Sequence, residues 1–93
     1  MNKNNVINLM KQVYSGQNIT EESVNKFMEI FKELSDKEEV VLNLRYGLDD
    51  GDEVSIDEVA DTYEVTRERV EEVIVSAFKK LRHPARARNL FGN

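Results

Sequence analysis

The chain has 93 residues and a mass of 10.8 kDa, room for one domain, which excludes a two-domain enzyme. With 40% hydrophobic, 8% aromatic and 33% charged residues, it can bury a small core of amphipathic helices, and whole-chain disorder is excluded. There is no Cys, so disulfides, thiolate nucleophiles and cysteine-ligated metals are excluded. No stretch approaches the roughly 18 apolar residues of a membrane span, and the polar start MNKNNV lacks the apolar core of a signal peptide. A soluble cytoplasmic protein with no membrane partner is expected.

The net charge of −5 is distributed unevenly. Residues 1–33 are neutral, residues 34–66 carry eleven acids against Lys37 and Arg45 for −9, and residues 67–93 carry seven bases against three acids for +4. An anion-binding surface is expected in the last third.

One Pro and four Gly leave the chain free to be helical almost throughout. The first helix, about 3–14, rests on a short stripe of Val6, Met10, Val13 and Tyr14 with Asn-rich flanks. It is expected either to pack on the domain or to fray. Gly16 should stop it. Thr20 is then a cap for a helix over about 21–33, with Ile19 and Val24 spaced as a hydrophobic staple. The apolar stripe Val24, Phe27, Met28 and Phe31 of this helix closes the open side of the helices C-terminal to it, or presents its Phe residues to another protein or a second copy.

Ser35 with Glu38 spells a capping box for a helix over about 36–46, which Gly47 ends. Residues 48–54 form an acidic loop. An EF-hand with Gly51 at its sixth position would require ligands at Tyr46 and Leu48, so no metal is assigned. Ser55 with Glu58 spells a second capping box, for a helix over about 56–63, stapled by Val54 and Val59. Thr66 begins another over about 67–82, stapled by Val65 and Val70. The tail after Pro84 is either a frayed, solvated end or a partner-contacting segment in which Lys79, Arg82, Arg86 and Arg88 supply charge and Leu90 and Phe91 supply apolar anchors. His83 is expected near the last carbonyls of the helix before it. The fold class is all-α, a small bundle of about five helices unrelated to the winged-helix folds.

Helices 56–63 and 67–82 are joined by Glu64, Val65 and Thr66 alone. That is too tight for an antiparallel hairpin and right for a helix-turn-helix. Ala60 falls at the crossing, and Val59, Tyr63, Val65, Val70 and Val73 fall at the positions expected to be buried. Glu64 stands at the turn, where the left-handed backbone favours Gly.

The stretch from Leu34, with RYGLDD, SIDEVA, VTRERV and KKLRHP in register, resembles region 4 of the sigma-70 family of bacterial transcription initiation factors. The resemblance runs without a gap from Leu34 to Pro84 and divides the chain into an extension, 1–33, and a region 4-like domain, 34–93. It implies a non-enzymatic DNA-binding protein without cofactor, whose second motif helix enters the major groove of the promoter's minus 35 element while other surfaces dock on the flap of RNA polymerase. It also implies that Arg67 and Glu68 read bases, that Thr66 caps the recognition helix and approaches a phosphate, and that Arg45, Lys37 and Lys80 hold the DNA backbone, with Ser55 at the head of the motif. Arg gives a bidentate contact to guanine and Glu accepts from cytosine.

Glu71 and Glu72 depart from the family, which carries a basic residue and Gln there. One turn along from Glu68, they put carboxylates toward DNA phosphates and weaken binding, or form a solvated face in which Glu71 stands i+4 from Arg67. This favours a second expectation, a sigma mimic that binds the flap or an anti-sigma partner without reading DNA. Region 4 lacks the part that melts the minus 10 element, so such a chain is expected not to initiate transcription alone. An accessory protein, bacterial or phage-encoded, or part of a longer one is expected.

Overall fold

The structure, a computed structural model, describes residues 1–92. Six helices follow one another: α1 Lys3–Val13, α2 Glu21–Phe31, α3 Asp36–Tyr46, α4 Ile56–Tyr63, α5 Arg67–Leu81 and α6 Pro84–Phe91. Each begins where a side chain accepts a hydrogen bond from an otherwise orphaned amide of the first turn. The acceptors are Asn2, Thr20, Ser35, Ser55, Thr66 and, through Nδ1, His83. Ser35 and Glu38 close a full reciprocal box; at Ser55 only the serine half forms, and Thr20 finds its reciprocal partner in Ser23.

The sixth helix corrects the expectation of five and of a frayed tail. His83 does not close α5; it caps α6, with Pro84 at the first helical position, where its missing N–H is no loss. Leu90 then turns into the core, and the Phe91 ring meets Tyr14 edge-on at 5.3 Å. The first helix packs rather than frays. Val6, Leu9, Met10, Val13 and Tyr14 join Val24, Phe27, Phe31, Leu42, Leu48, Ala77 and Leu81 in one cluster. That cluster draws on both sides of residue 33, and the turn there is a change of direction within a continuous core.

Polar contacts add register. Asn5 Nδ2 donates to the carbonyls of Tyr46, Gly47 and Gly51 at 3.0–3.1 Å, holding α1 on the turn after α3. Gly47 needs its missing Cβ here: φ is +59°, and a Cβ would stand 2.7 Å from the Asp52 backbone and 2.9 Å from Asn5 Nδ2. The Tyr14 hydroxyl donates to the Leu81 carbonyl at 2.8 Å inside the core, and burial pushes its pKa above the usual phenol range despite Arg86 and Arg82 nearby.

The second cluster, Val41, Val59, Ala60, Val70 and Val73, holds α4 and α5 against α3. Ala60 sits at the crossing as the motif requires. Between the helices, Val65 N–H donates to Ala60 O at 3.0 Å and Glu64 N–H to Asp61 O at 3.3 Å, a Schellman closure with Glu64 itself left-handed at φ 54°. Tyr63 and Val65 correct the expected burial: they stay 48% and 43% exposed, because they lie past the crossing, where no helix covers them. Among the described residues no helix is long and apolar enough to cross a membrane, and no group of three His, Cys, Asp or Glu could hold a metal ion.

Candidate nucleic-acid interface

The exposed surface of the helix-turn-helix begins at Thr66. Its hydroxyl accepts from Arg69 N–H at 3.1 Å, so the same side chain ends the turn and starts α5. The amphipathic period of α5 buries Val70, Val73, Ala77 and Leu81 and leaves Glu68, Glu71, Glu72, Lys79 and Lys80 on the outer side. Glu68, Glu71 and Glu72 line the first turn and a half of the stripe, and the two Lys close it beyond Val75 and Ser76. The outward face of α5 therefore changes sign along its length, acidic first and basic last.

Beside it, a recess of about 380 Å³ brings together Arg45, Ser55 and Arg67 with Glu53 and Asp57. Arg67 Nε donates to Glu71 Oε1 at 2.9 Å and Nη1 to Asp57 Oδ1 and Oδ2 at 3.1 and 3.2 Å. These acids raise the Arg67 pKa further, the Glu71 hydrogen bond first and then Asp57, so the side chain is always cationic. Arg45 pairs with Glu53 at 3.5 Å, and Lys80 with Glu38 at 2.8 Å. Each of these three cations is thus matched by a carboxylate of its own chain. Lys37 lies apart from the recess, on a second groove. Among the described residues, neither it nor Lys79 has an ion pair within 4.0 Å.

Glu38 is the exception to a solvated acidic surface. Its side chain is 6% exposed and accepts from Ser35 N–H, Ser76 Oγ and Lys80 Nζ at 2.8–2.9 Å. Burial by itself would raise its pKa. The hydrogen bonds from Lys80, Ser35 and Ser76 outweigh burial and bring the carboxyl from the ordinary 4.5 down to about 2. Lys80, expected at the DNA backbone, is in this structure half of the bridge between α3 and α5.

The second groove, about 390 Å³ and largely apolar, lies between α3, α4 and α5. Val40, Val41, Tyr63, Val65, Val70 and Val73 line it, with Asp36, Lys37 and Arg69 among its polar members.

The tail cations expected at a partner surface are divided in role. Arg82 Nε donates to the Val13 carbonyl at 2.9 Å, closing the C-terminus of α1, and its guanidinium lies 5.4 Å from the Phe78 ring centroid. Arg86 donates to the Lys80 carbonyl at 3.1 Å and to Glu33 at 3.2 Å. Lys79 and Arg88 remain exposed. Leu90 and Phe91 are core and half-buried residues, not outward anchors, because α6 lies on α2 and turns them inward. Sequence reasoning missed Asp57 and Glu53 as partners of Arg67 and Arg45. They are ten and eight residues away, and only the tertiary fold brings them together. The i,i+4 spacing of Arg67 and Glu71 was the one available signal.

Comparison with known proteins agrees with this geometry. The family model "Sigma-70, region 4" matches residues 30–83. "RNA polymerase sigma factor SigA" of Listeria monocytogenes serovar 1/2a is 45% identical over 62 residues, which is 67% of this chain and 17% of that protein. The chain spans about a sixth of the relative's length. The match takes in α3, the helix-turn-helix and the chain up to His83, and it is more than half of the chain. The chain belongs to the sigma-70 region 4 family.

Proposed function

We propose that the chain is a transcription module that recognises minus 35-like promoter DNA through α5 while associated with RNA polymerase. The observation that carries this reading is the exposed first turn of α5, where Thr66 caps the helix and Arg67 and Glu68 stand side by side outside the core. Arg and Glu are suited to guanine and cytosine edges in the major groove. Arg45 and Ser55 share the recess with Arg67, Lys37 lies in the groove that Arg69 also lines, and Lys80 stands at the basic end of the outward face of α5; Arg45, Lys37 and Lys80 supply the backbone contacts in this reading. The flap of RNA polymerase is the expected protein partner.

The test is a fluorescence-anisotropy titration of a minus 35 duplex and a scrambled duplex at about 50 and 200 mM salt, with the wild type and Arg67→Ala. Binding that prefers the promoter duplex and loses that preference in Arg67→Ala supports the reading. Loss of one bidentate base contact should cost about 1–3 kcal/mol. Absence of binding at the lower salt sinks it.

A second reading is a mimic that occupies the flap or an anti-sigma partner without reading DNA. The specific observation in its favour is the internal pairing of Arg45, Arg67 and Lys80, three of the cations on which phosphate and base contact depends. Capture of the polymerase flap by a chain that ignores both duplexes would support it.

A further inference from the structure

Arg67, on which the proposed base readout depends, is bridged to carboxylates on two helices. Reading guanine takes two parallel N–H donors of the guanidinium fork. They come either from the Nε and Nη2 edge or from the Nη1 and Nη2 end. Nε is engaged by Glu71 and Nη1 by Asp57, so one nitrogen of each pair is already occupied. Asp57 belongs to the first turn of α4 and Glu71 to the second turn of α5. Between them the guanidinium lines the recess beside Ser55 and Ile56, tied on one side to Asp57 and on the other to Glu71 of the outer stripe that also carries Glu68 and Glu72.

We propose that Asp57 and Glu71 form an ion-pair latch that holds Arg67 away from the bases, which makes these two carboxylates positioning residues that set affinity and selectivity for the promoter duplex. The inference rests on the proposed function, in which Arg67 contacts DNA. The latch is built to open. Arg67, Asp57 and Glu71 side chains are 54%, 69% and 49% exposed, and ion pairs at such exposure are weak. Glu71 also lies C-terminal to its Arg, the less favourable order on a helix. A competing guanine edge can therefore displace the carboxylates, and the closed population subtracts a modest factor from the apparent affinity.

The variants Asp57→Asn and Glu71→Gln keep the side-chain shapes and remove the charges at exposed positions, so the fold should be unaffected. Combined, they should tighten binding to the minus 35 duplex roughly three- to ten-fold. Removing two negative charges also relieves general repulsion from DNA, and a double-mutant cycle with Arg67→Ala separates the two effects. The latch requires the gain to be larger on the promoter duplex than on the scrambled one and to shrink in the Arg67→Ala background to the general part that both duplexes share. An equal gain in both backgrounds and on both duplexes overturns it, while a wild type that still prefers the promoter duplex leaves the DNA-binding reading intact. No binding of either duplex by any of the four proteins at about 50 mM salt removes the reading and the latch together. A measurement without DNA stands beside the cycle. The Arg67 Nε–Hε NMR signal of the free wild type should report a restrained side chain that becomes averaged in Asp57→Asn/Glu71→Gln, and a signal already averaged in the wild type overturns the latch.

Discussion

At the scale of single residues, the acids of this chain do opposite work according to what surrounds them. Glu64 occupies a left-handed turn position at φ 54° that Gly fills without strain, a conformation costing an L-residue about 1–2 kcal/mol. The two turn hydrogen bonds and the packing of Ala60 hold it there. Glu38 is buried under three donors from Ser35, Ser76 and Lys80, and its carboxyl titrates at about 2 in place of 4.5. A lowered folded-state pKa stabilises the fold above the unfolded value, and that stability is lost as pH falls through the folded value. The shift corresponds to something on the order of 3 kcal/mol at neutral pH, lost between about pH 4.5 and 2. Glu38→Gln should remove most of it and flatten that part of the acid limb, as read from urea denaturation at a series of pH values. An unchanged acid limb would show that the bridge between α3 and α5 contributes nothing net.

At the scale of elements, α1 is bound into the domain by groups that local sequence patterns only half reveal. Its apolar stripe and the Gly16 after it obey local rules, so the helix itself was legible, although its Asn2 cap emerges only in the structure. Whether it packs was not legible. That depends on Asn5 reaching carbonyls more than forty residues away and on Arg82 closing its C-terminus from the far end of α5. The same contrast separates the elements that were read correctly from the one that was missed. Helices α2 to α5 announce themselves by caps and stripes within one window. Helix α6 comes two residues after α5, and its start depends on His83 serving as a cap, a role that Ser, Thr, Asp and Asn usually fill. Leu9 is fully buried in the shared core. Leu9→Ala should cost about 2–5 kcal/mol, measured by urea denaturation with any probe on α5 or α6. Loss of α1 signal at a lower denaturant than the rest would show instead that α1 is a separable appendage.

At the scale of the whole molecule, the charge asymmetry seen along the sequence is folded into a short circuit. The acidic middle third, −9, and the basic last third, +4, are not held apart. Asp57 meets Arg67, Glu38 meets Lys80, and within the middle third Glu53 meets Arg45. The positive surface that the composition led one to expect in the last third is thus largely cancelled at the helix-turn-helix. This part of the site was illegible because a sequence gives the sign of each charge and not the charge opposite it. The cancellation bears on DNA affinity through counterion release, in which each phosphate neutralised contributes about 0.9 to the slope of log K against log salt. Only Lys37 and Lys79 near this surface lack an ion pair among the described residues. If the internal pairs persist on DNA, only these cations release counterions, and the slope should lie near −2. If DNA displaces the carboxylates, Arg45 and Lys80 join them and the slope should steepen toward about −4. The ion-pair latch frees Arg67 onto a guanine edge and not onto a phosphate, so it leaves the slope near −2, and Arg67→Ala should lower promoter selectivity without changing that slope. A wild-type slope already near −4 would mean that the pairs do not survive contact with a polyanion. The module would then bind as a basic surface despite its net charge of −5. A slope near −2 would leave a chain whose own affinity is weak, and whose occupancy of a promoter depends on being carried there by a partner that raises its effective concentration.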